Sequence, residues 1–419
     1  MAYTQEIKDE IRNLLIKYPN ANIVKYGYKT KNGIRTGEKS IVFGFDEKKP
    51  LSELNESEII PNSVNIKNED IVTDVIVEQK PQPLYEFCPS SFYTWQNTTP
   101  PQRNFQRPLK GGLEISNQSS SSLSGGIIIG TMGFIAVDNE TNSLVGVTNN
   151  HVAIAPPRTG FIANEPNRAV DNCLGNNVSQ DASYSSSKRI GKVKRYKPIY
   201  GNVNNYTDGA LISLKESEVN LNESYKFYGF ESDITGPLDF ATTAEIDSLI
   251  DNNYEFYSVG RTTSAKGFGE TKLLFDGYST FPIAYSLGIN ENNLKYVIFA
   301  DSISYIASAS TTTPGDVCYS PIEGGDSGSG LLVNINGTIK IVGLSFAGAG
   351  QCDGCLKVIA HANRIDRVAE DLNISPFTGQ AVNFSDIDNP LVHYEPGLSS
   401  DETKVINGKT YYQLGSLEV

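Results

Sequence analysis

From Gly111 onward the chain is a succession of short runs rich in β-branched, aromatic and other apolar residues, separated by Gly, Asn and Ser. The runs are Gly125–Val137, Leu144–Thr148, Lys192–Tyr196, Gly209–Leu214, Glu255–Gly260, Leu273–Gly277, Tyr296–Ala300 and Gly330–Phe346. Side chains of these types pack well on a pleated surface, and the residues between the runs accept tight turns. Many short strands of this kind build a sandwich or a barrel. Helical pattern is scarce in this region. It is confined to Thr243–Ile250 and to Asn363–Leu372, where Ile365, Val368, Ala369 and Leu372 share a face.

The first 80 residues have a different texture. Residues 4–18 predict an amphipathic helix with Ile7, Ile11, Leu14 and Leu15 on one face and Thr4 as its cap. Ile23–Tyr28 and Ser40–Phe45 read as strands, and the turn between them carries Lys31-Asn32-Gly33, a hairpin signal. Ile71–Val77 reads as a further strand. These elements make residues 1–80 an α+β module. Residues 81–112 hold Pro81, Pro83, Pro89, Pro100, Pro101 and Pro108 and read as a linker crossing the surface. The β-rich domain spans 113–377, and the polar stretch 378–419, with Pro390 and Pro396, reads as a tail.

Charge narrows the choice of partners. The 419 residues carry 48 acidic and 35 basic side chains, a net charge of −13. The N-terminal module is nearly neutral, with 12 basic and 13 acidic residues, so the negative charge lies beyond it. This disfavours nucleic acid, which needs concentrated Lys and Arg. No apolar run approaches the roughly 18 residues of a membrane helix. The first residues lack a basic segment followed by an apolar one, so no secretory signal is read and the expected location is cytoplasmic. Five cysteines in a chain of this length are read as reduced thiols. Cys352-Asp353-Gly354-Cys355 reads as a tight turn. Zinc would need two further ligands, and no second such pair exists. No metal and no cofactor is expected.

There are only three histidines, His151, His361 and His393, so a base working near neutral pH has few candidates. His151 ends the strand Leu144–Thr148 and opens a loop, where functional side chains tend to be presented. His361, between a strand and the last helix, reads as structural, and His393 lies in the Pro-flanked tail. Two further segments complete a constellation. Asp208 precedes the apolar strand Ala210-Leu211-Ile212, which would set its carboxylate against a core, a place turn aspartates usually avoid. Gly324-Gly325-Asp326-Ser327-Gly328-Ser329-Gly330 is either a polar Gly-rich hairpin or the turn that presents a nucleophile. A serine hydroxyl needs an adjacent base and amides aimed at the developing oxyanion. The absent side chains at Gly325 and Gly328 let the backbone bend and let a carbonyl approach, and the Gly325 and Ser327 N–H groups would form the oxyanion hole.

The order along the chain is His151, Asp208, Ser327, the chymotrypsin order. α/β-Hydrolases run Ser, Asp or Glu, His, and here Ser329 stands where their Gly-x-Ser-x-Gly needs its second Gly. On these segments the chain resembles the trypsin-like serine peptidases. It is similar in particular to intracellular bacterial peptidases related to the plant narrow-leaf protein. The further matches are Lys17–Asn20, Tyr26–Lys29, Thr36–Glu38, Thr73–Val75, Arg107–Gly112, Gly130–Gly133 and Val259–Thr263, so the resemblance covers roughly residues 10–375.

The resemblance implies a mainly β fold of two six-stranded antiparallel barrels, with His151 and Asp208 from the first and Ser327 from the second. It implies that Gly343–Gly348, with Ser345, Phe346 and Ala347, pairs with substrate backbone and lines the specificity pocket, and that Ser345 hydrogen-bonds Asp208. It also implies a serine endopeptidase acting on a protein or peptide, compatible with a bacterial stress or defence response. In secreted relatives a new N-terminus pairs with the Asp preceding the nucleophile. Here no activation site is evident, and Asp326 must find another partner. A latent, partner-activated or oligomeric protease-fold regulatory module and an esterase are the competing readings.

Overall fold

A computed structural model describes residues 2–31, 34–83, 101–117, 128–153, 177–180, 186–197, 199, 204–252, 254–266, 272–286, 294–307, 321–349, 358–380, 382–384, 404–406 and 409–411. All five cysteines, His393 and the Asn32-Gly33 turn lie outside them.

The N-terminal module opens with helix α1 (Gln5–Lys17), which buries the expected Ile7, Ile11, Leu14 and Leu15. Thr4 occupies the cap position in extended conformation, but its hydroxyl bonds no amide of the first turn. Strands β1 (Ile23–Lys31), β2 (Ile34–Phe45), β3 (Ser63–Ile66) and β4 (Glu69–Val77) follow, then the two-residue β5 (Gln82–Pro83). β1 and β2 form an antiparallel hairpin, β4 runs parallel to β2, and β3 pairs antiparallel with β4.

The β-rich region begins with β6 (Glu114–Asn117), β7 (Ile128–Thr131), β8 (Phe134–Asp138), β9 (Ser143–Thr148), the short helix α2 (Asn150–Ala153), β10 (Asn177–Gln180), β11 (Arg189–Tyr196), β12 (Asn204–Asn205) and β13 (Ala210–Leu214). It continues with helix α3 (Thr243–Asp247), β14 (Glu255–Gly260), β15 (Ser264–Lys266), β16 (Leu273–Ser286), β17 (Leu294–Ala307), β18 (Gly330–Ile335), β19 (Thr338–Ala349), β20 (Ile359–Arg364), helix α4 (Ile365–Leu372) and β21 (Ile374–Pro376). The mainly β fold expected from the alternating texture is the fold observed, and both helical segments read in the sequence form helices. Thr242 caps α3 by accepting from the Glu245 amide, and α4 ends at Asn373 in the left-handed conformation.

The first sheet has the order β21-β8-β9-β13-β11-β10-β6-β7. β7 and β8 lie near opposite ends of this order, yet only Met132 and Gly133 separate them in sequence. The sheet therefore curls until its ends approach. It encloses a core that includes Ile115, Met132, Ile135, Leu144, Val193 and Ile212. In the second sheet β14, β16, β17, β20, β19 and β18 close into a ring of six, because β16 pairs with both β14 and β17 while β18 pairs with β14. Among the described residues no helix is long and apolar enough to cross a membrane.

The module is joined to the second barrel by backbone hydrogen bonds. β14 covers only Leu273 and Leu274 of the long β16, and β1 pairs further along β16, at Gly277–Thr280. Gly27 lies opposite Gly277, where a Cβ on Gly27 would meet the Asp276 carbonyl oxygen at 2.5 Å. Buried Lys25 sits between Glu78 at 2.8 Å and Asp276 at 2.7 Å, and Tyr3 stacks on Tyr278 with centroids 3.8 Å apart. The segment read as a surface linker is partly interior. Leu109 is fully buried in the first barrel, and β5 hydrogen-bonds to β19.

Candidate active site

The structure brings His151, Asp208 and Ser327 together. His151 lies on α2, three residues beyond the end of β9. Its Nδ1 is 2.6 Å from Asp208 Oδ2 and its Nε2 is 2.7 Å from Ser327 Oγ. The His151 backbone amide also donates to Asp208 Oδ1 at 3.1 Å. All three residues are buried, with Asp208 fully enclosed. Two asparagines fix the Asp208 backbone: Asn149 Nδ2 donates to its carbonyl at 2.7 Å, and its amide donates to Asn363 Oδ1 at 2.9 Å. The sequence reading gives Asn149 no role and takes Asn363 only as the start of a helix. Its place is the last turn-facing part of β20, where it bridges the second barrel to Asp208.

The turn that carries Ser327 is held from both barrels. Gly325 and Gly328 have φ of +95° and +92°, which only glycine adopts without strain. From the first barrel, the Thr131 amide donates to the Ser327 carbonyl at 2.8 Å and Thr131 Oγ1 donates to the Gly325 carbonyl at 2.9 Å. The neighbouring glycines of the Gly130-Thr131-Met132-Gly133 match give the turn room. A Cβ on Gly133 would collide with the Gly328 carbonyl, and one on Gly130 would reach the Ser327 carbonyl at 3.0 Å. From the second barrel, Thr262 Oγ1 donates to the Gly324 carbonyl at 2.7 Å. Neither the Gly325 nor the Ser327 amide donates to a protein acceptor among the described residues.

Asp326 is partnered by backbone amides. Its Oδ1 accepts from the Thr262 and Thr263 amides at 2.7 and 3.1 Å, and its Oδ2 accepts from the Glu323 amide at 3.0 Å. Burial pushes this carboxyl above the ordinary range, and the amides of Thr262, Thr263 and Glu323 pull it back down. The Gly260-Arg261-Thr262-Thr263 segment, noted only as a likeness, thus supplies partners for the buried Asp326 carboxylate. A Cβ on Gly260 would collide with the Asp326 carboxylate, which accounts for glycine there. Asp326→Asn sets an N–H against one of these amides whichever way the amide is turned. We expect the turn to loosen and kcat/KM to fall about 10²–10³-fold, the usual scale for losing one oxyanion donor. Steady-state kinetics beside a thermal melt checks this.

Ser345, Phe346 and Ala347 lie on β19 next to the turn, with the Gly328 amide donating to the Ser345 carbonyl at 2.9 Å. The Ser345 hydroxyl pairs with Tyr305 Oη at 2.9 Å and not with Asp208. The reason is a register shift between Ser345 and Ala347 in the pairing with β20, which re-aims side chains along this strand. The Phe346 ring is fully buried against Phe281 and Phe299. Cys352 and Cys355, read as the ends of a tight turn, lie outside the described residues.

His361 is far from this chemistry in kind. It is fully buried beside the Phe281 ring, with Nδ1 3.0 Å from Ser304 Oγ. Burial, aided by the Lys25 charge and opposed by Asp276, pushes its pKa down from 6.5 to about 3. The unfolded chain therefore takes up a proton near pH 6.5 that the folded chain refuses until about pH 3. Stability from this group is whole above pH 6.5 and drains by about 1.4 kcal/mol per unit as the pH falls below it. Urea midpoints taken from pH 7 to pH 5 should fall in the wild type, and His361→Gln should remove up to about 2 kcal/mol of that fall.

No protein-family model matches the sequence, and no curated protein matches it. Solved structures do. Thermobifida fusca protease A matches at 15% identity with a TM-score of 0.36, covering 64% of this chain and 98% of that one. A Nocardiopsis protease matches at 16% with a TM-score of 0.36, and Cellulomonas bogoriensis chymotrypsin at 14% with 0.35, each covering 64% of this chain and 98% of its own.

Proposed function

We propose that the protein is a serine endopeptidase working by acyl transfer. The observation that carries this reading is the line of hydrogen bonds from Asp208 through His151 to Ser327, at 2.6 and 2.7 Å, beside two amides with no protein acceptor among the described residues. Ser327 Oγ attacks the substrate carbonyl carbon and its proton passes to His151 Nε2. The carbonyl oxygen, now anionic, takes the Gly325 and Ser327 N–H groups. Asp208 keeps the other imidazole nitrogen protonated and balances the imidazolium. His151 then gives its proton to the leaving amine, and water repeats the sequence on the acyl-enzyme.

The buried Asp326 cluster supports a turn that is already formed without a cleaved N-terminus, in keeping with an enzyme that needs no such activation. The narrower likeness to intracellular bacterial peptidases, and with it a cytoplasmic role in stress or defence, is supported by the sequence segments alone. The test is digestion of a peptide library drawn from whole-cell protein, with new N-termini read by mass spectrometry. New termini that appear with wild type and vanish with Ser327→Ala support the reading. Ester turnover without new termini would move it to an esterase.

A further inference from the structure

β19 is covered on one edge by β20, whose register runs through Ser345↔Ala362, Ala347↔His361 and Gly348↔Ala360. β18 covers the other edge only as far as Leu344, where Gly330 is its last partner. Before Gly330 the chain leaves the sheet to make the Ser327 turn, whose Ser329 carbonyl and Gly328 amide still bond Ser345, and this opens the edge of β19 from Phe346 onward. The opened edge is not bare. β5 pairs there antiparallel, with Ala347↔Pro83 and Gly348↔Gln82. It must lie on the β18 side, because β20 already holds the opposite edge. Antiparallel pairing runs the chain from Gln82 to Pro83 toward Ser345, whose carbonyl bonds the Gly328 amide next to Ser327. Pro81 and Pro83 are buried while Gln82 is exposed, so the prolines dock this strand against the barrel. Proline cannot donate to a ladder, so Pro83 contributes only its carbonyl, and a full peptide strand would make more hydrogen bonds at the same place.

From this juxtaposition we propose that Gln82–Pro83 is a built-in occupant of the strand edge that leads to Ser327, which an extended substrate must displace before it is cleaved. The inference rests on the peptidase reading above. A substrate whose carbonyl is to reach Ser327 adds to the sheet by main-chain bonds, and among the described residues the only open β19 edge beside the turn is the one β5 holds. A competitor tethered in the same chain acts at an effective concentration set by its short tether, so it suppresses weak peptides most and yields to partners or substrates that pair better.

The experiment compares two covalent probes on the full-length protein. A small alkyl phosphonofluoridate needs only the nucleophile: the Ser327 Oγ–P bond forms, the P–F bond breaks, fluoride leaves and the proton goes to His151. A tetrapeptidyl phosphonate diphenyl ester reacts likewise with phenol leaving, but it also needs the strand edge. Gln82→Cys with Gly348→Cys places thiols on a directly opposed pair, within reach of a disulfide. Oxidation should lower the ratio of the peptidyl rate to the small-probe rate at least 10-fold, with recovery in dithiothreitol, each oxidised sample being compared with the same variant reduced. Wild type treated the same way controls for its own thiols. Pro83→Glu, which charges a buried docking side chain, should speed the peptidyl probe relative to the small one. Equal peptidyl rates in the locked and reduced forms would overturn the proposal. Loss of both probes in every form would instead sink the peptidase reading beneath it.

Discussion

Ser327→Ala is expected to lower kcat/KM on peptide substrates by about 10⁵–10⁶-fold while leaving the melting temperature nearly unchanged. The size follows from the mechanism: without Oγ no acyl-enzyme forms, and only oxyanion stabilisation and binding remain. The neutral effect on folding follows from the surroundings. The turn is held through the Ser327 carbonyl, the Asp326 carboxylate and the Gly324 and Gly325 carbonyls, none of which the substitution touches. The Ser327 hydroxyl bonds only His151 Nε2 among the described residues. Progress curves at high enzyme concentration, with a contaminant control purified from Ser327→Ala/His151→Ala, measure the residual rate. A loss of less than about 100-fold would mean that another group carries the nucleophilic step.

Asp208→Asn is expected to cost about 10⁴-fold, and the hydrogen bonds say why. The His151 backbone amide donates to Oδ1, and an amide N–H cannot turn away without leaving the fold. In the variant that amide keeps the Asn oxygen on its side, so the Asn NH₂ faces His151 Nδ1. The ring must then accept at Nδ1 and carry its proton on Nε2, where it can no longer take one from Ser327. The effect belongs to kcat more than to KM, because substrate binding does not depend on the tautomer. Asp208→Ala, which removes the forced orientation, is expected to be no worse than Asp208→Asn. A comparison of the two, with kcat and KM resolved, separates the tautomer argument from simple loss of charge.

The three candidate side chains were legible because residue type and chain order limit them: of the three histidines, only His151 precedes both Asp208 and Ser327. Strands β7–β9, β11, β13, β14 and β16–β19 fall in runs legible from their texture and turn residues, whereas β6, β10 and β20, which carries His361, were not read. What surrounds the three side chains was not legible, because backbone groups do most of it. The receptor for Asp326 consists of the Thr262, Thr263 and Glu323 amides, which any residue but proline would supply. Only Gly260, which has no room for a Cβ, leaves a mark in the sequence. The union of β1 with β16 was hidden for a related reason. Edge pairing is made of main-chain bonds, and the unbroken burial of Ile23–Tyr26 shows itself only once the second barrel is in place. β5, two residues with a proline between other prolines, has no strand pattern at all. The Ser345 partner was misread because a bulge shifts side-chain direction without altering the alternation of residue types.

The most direct measurement is the intact mass of the full-length protein after brief exposure to the small phosphonofluoridate, with the adduct then located by peptide mapping. One adduct per chain, on Ser327, that is absent in Ser327→Ala and slowed at least 100-fold in Asp208→Asn is the expected result. Folded protein that stays unlabelled, or that is labelled equally well in all three forms, would contradict it.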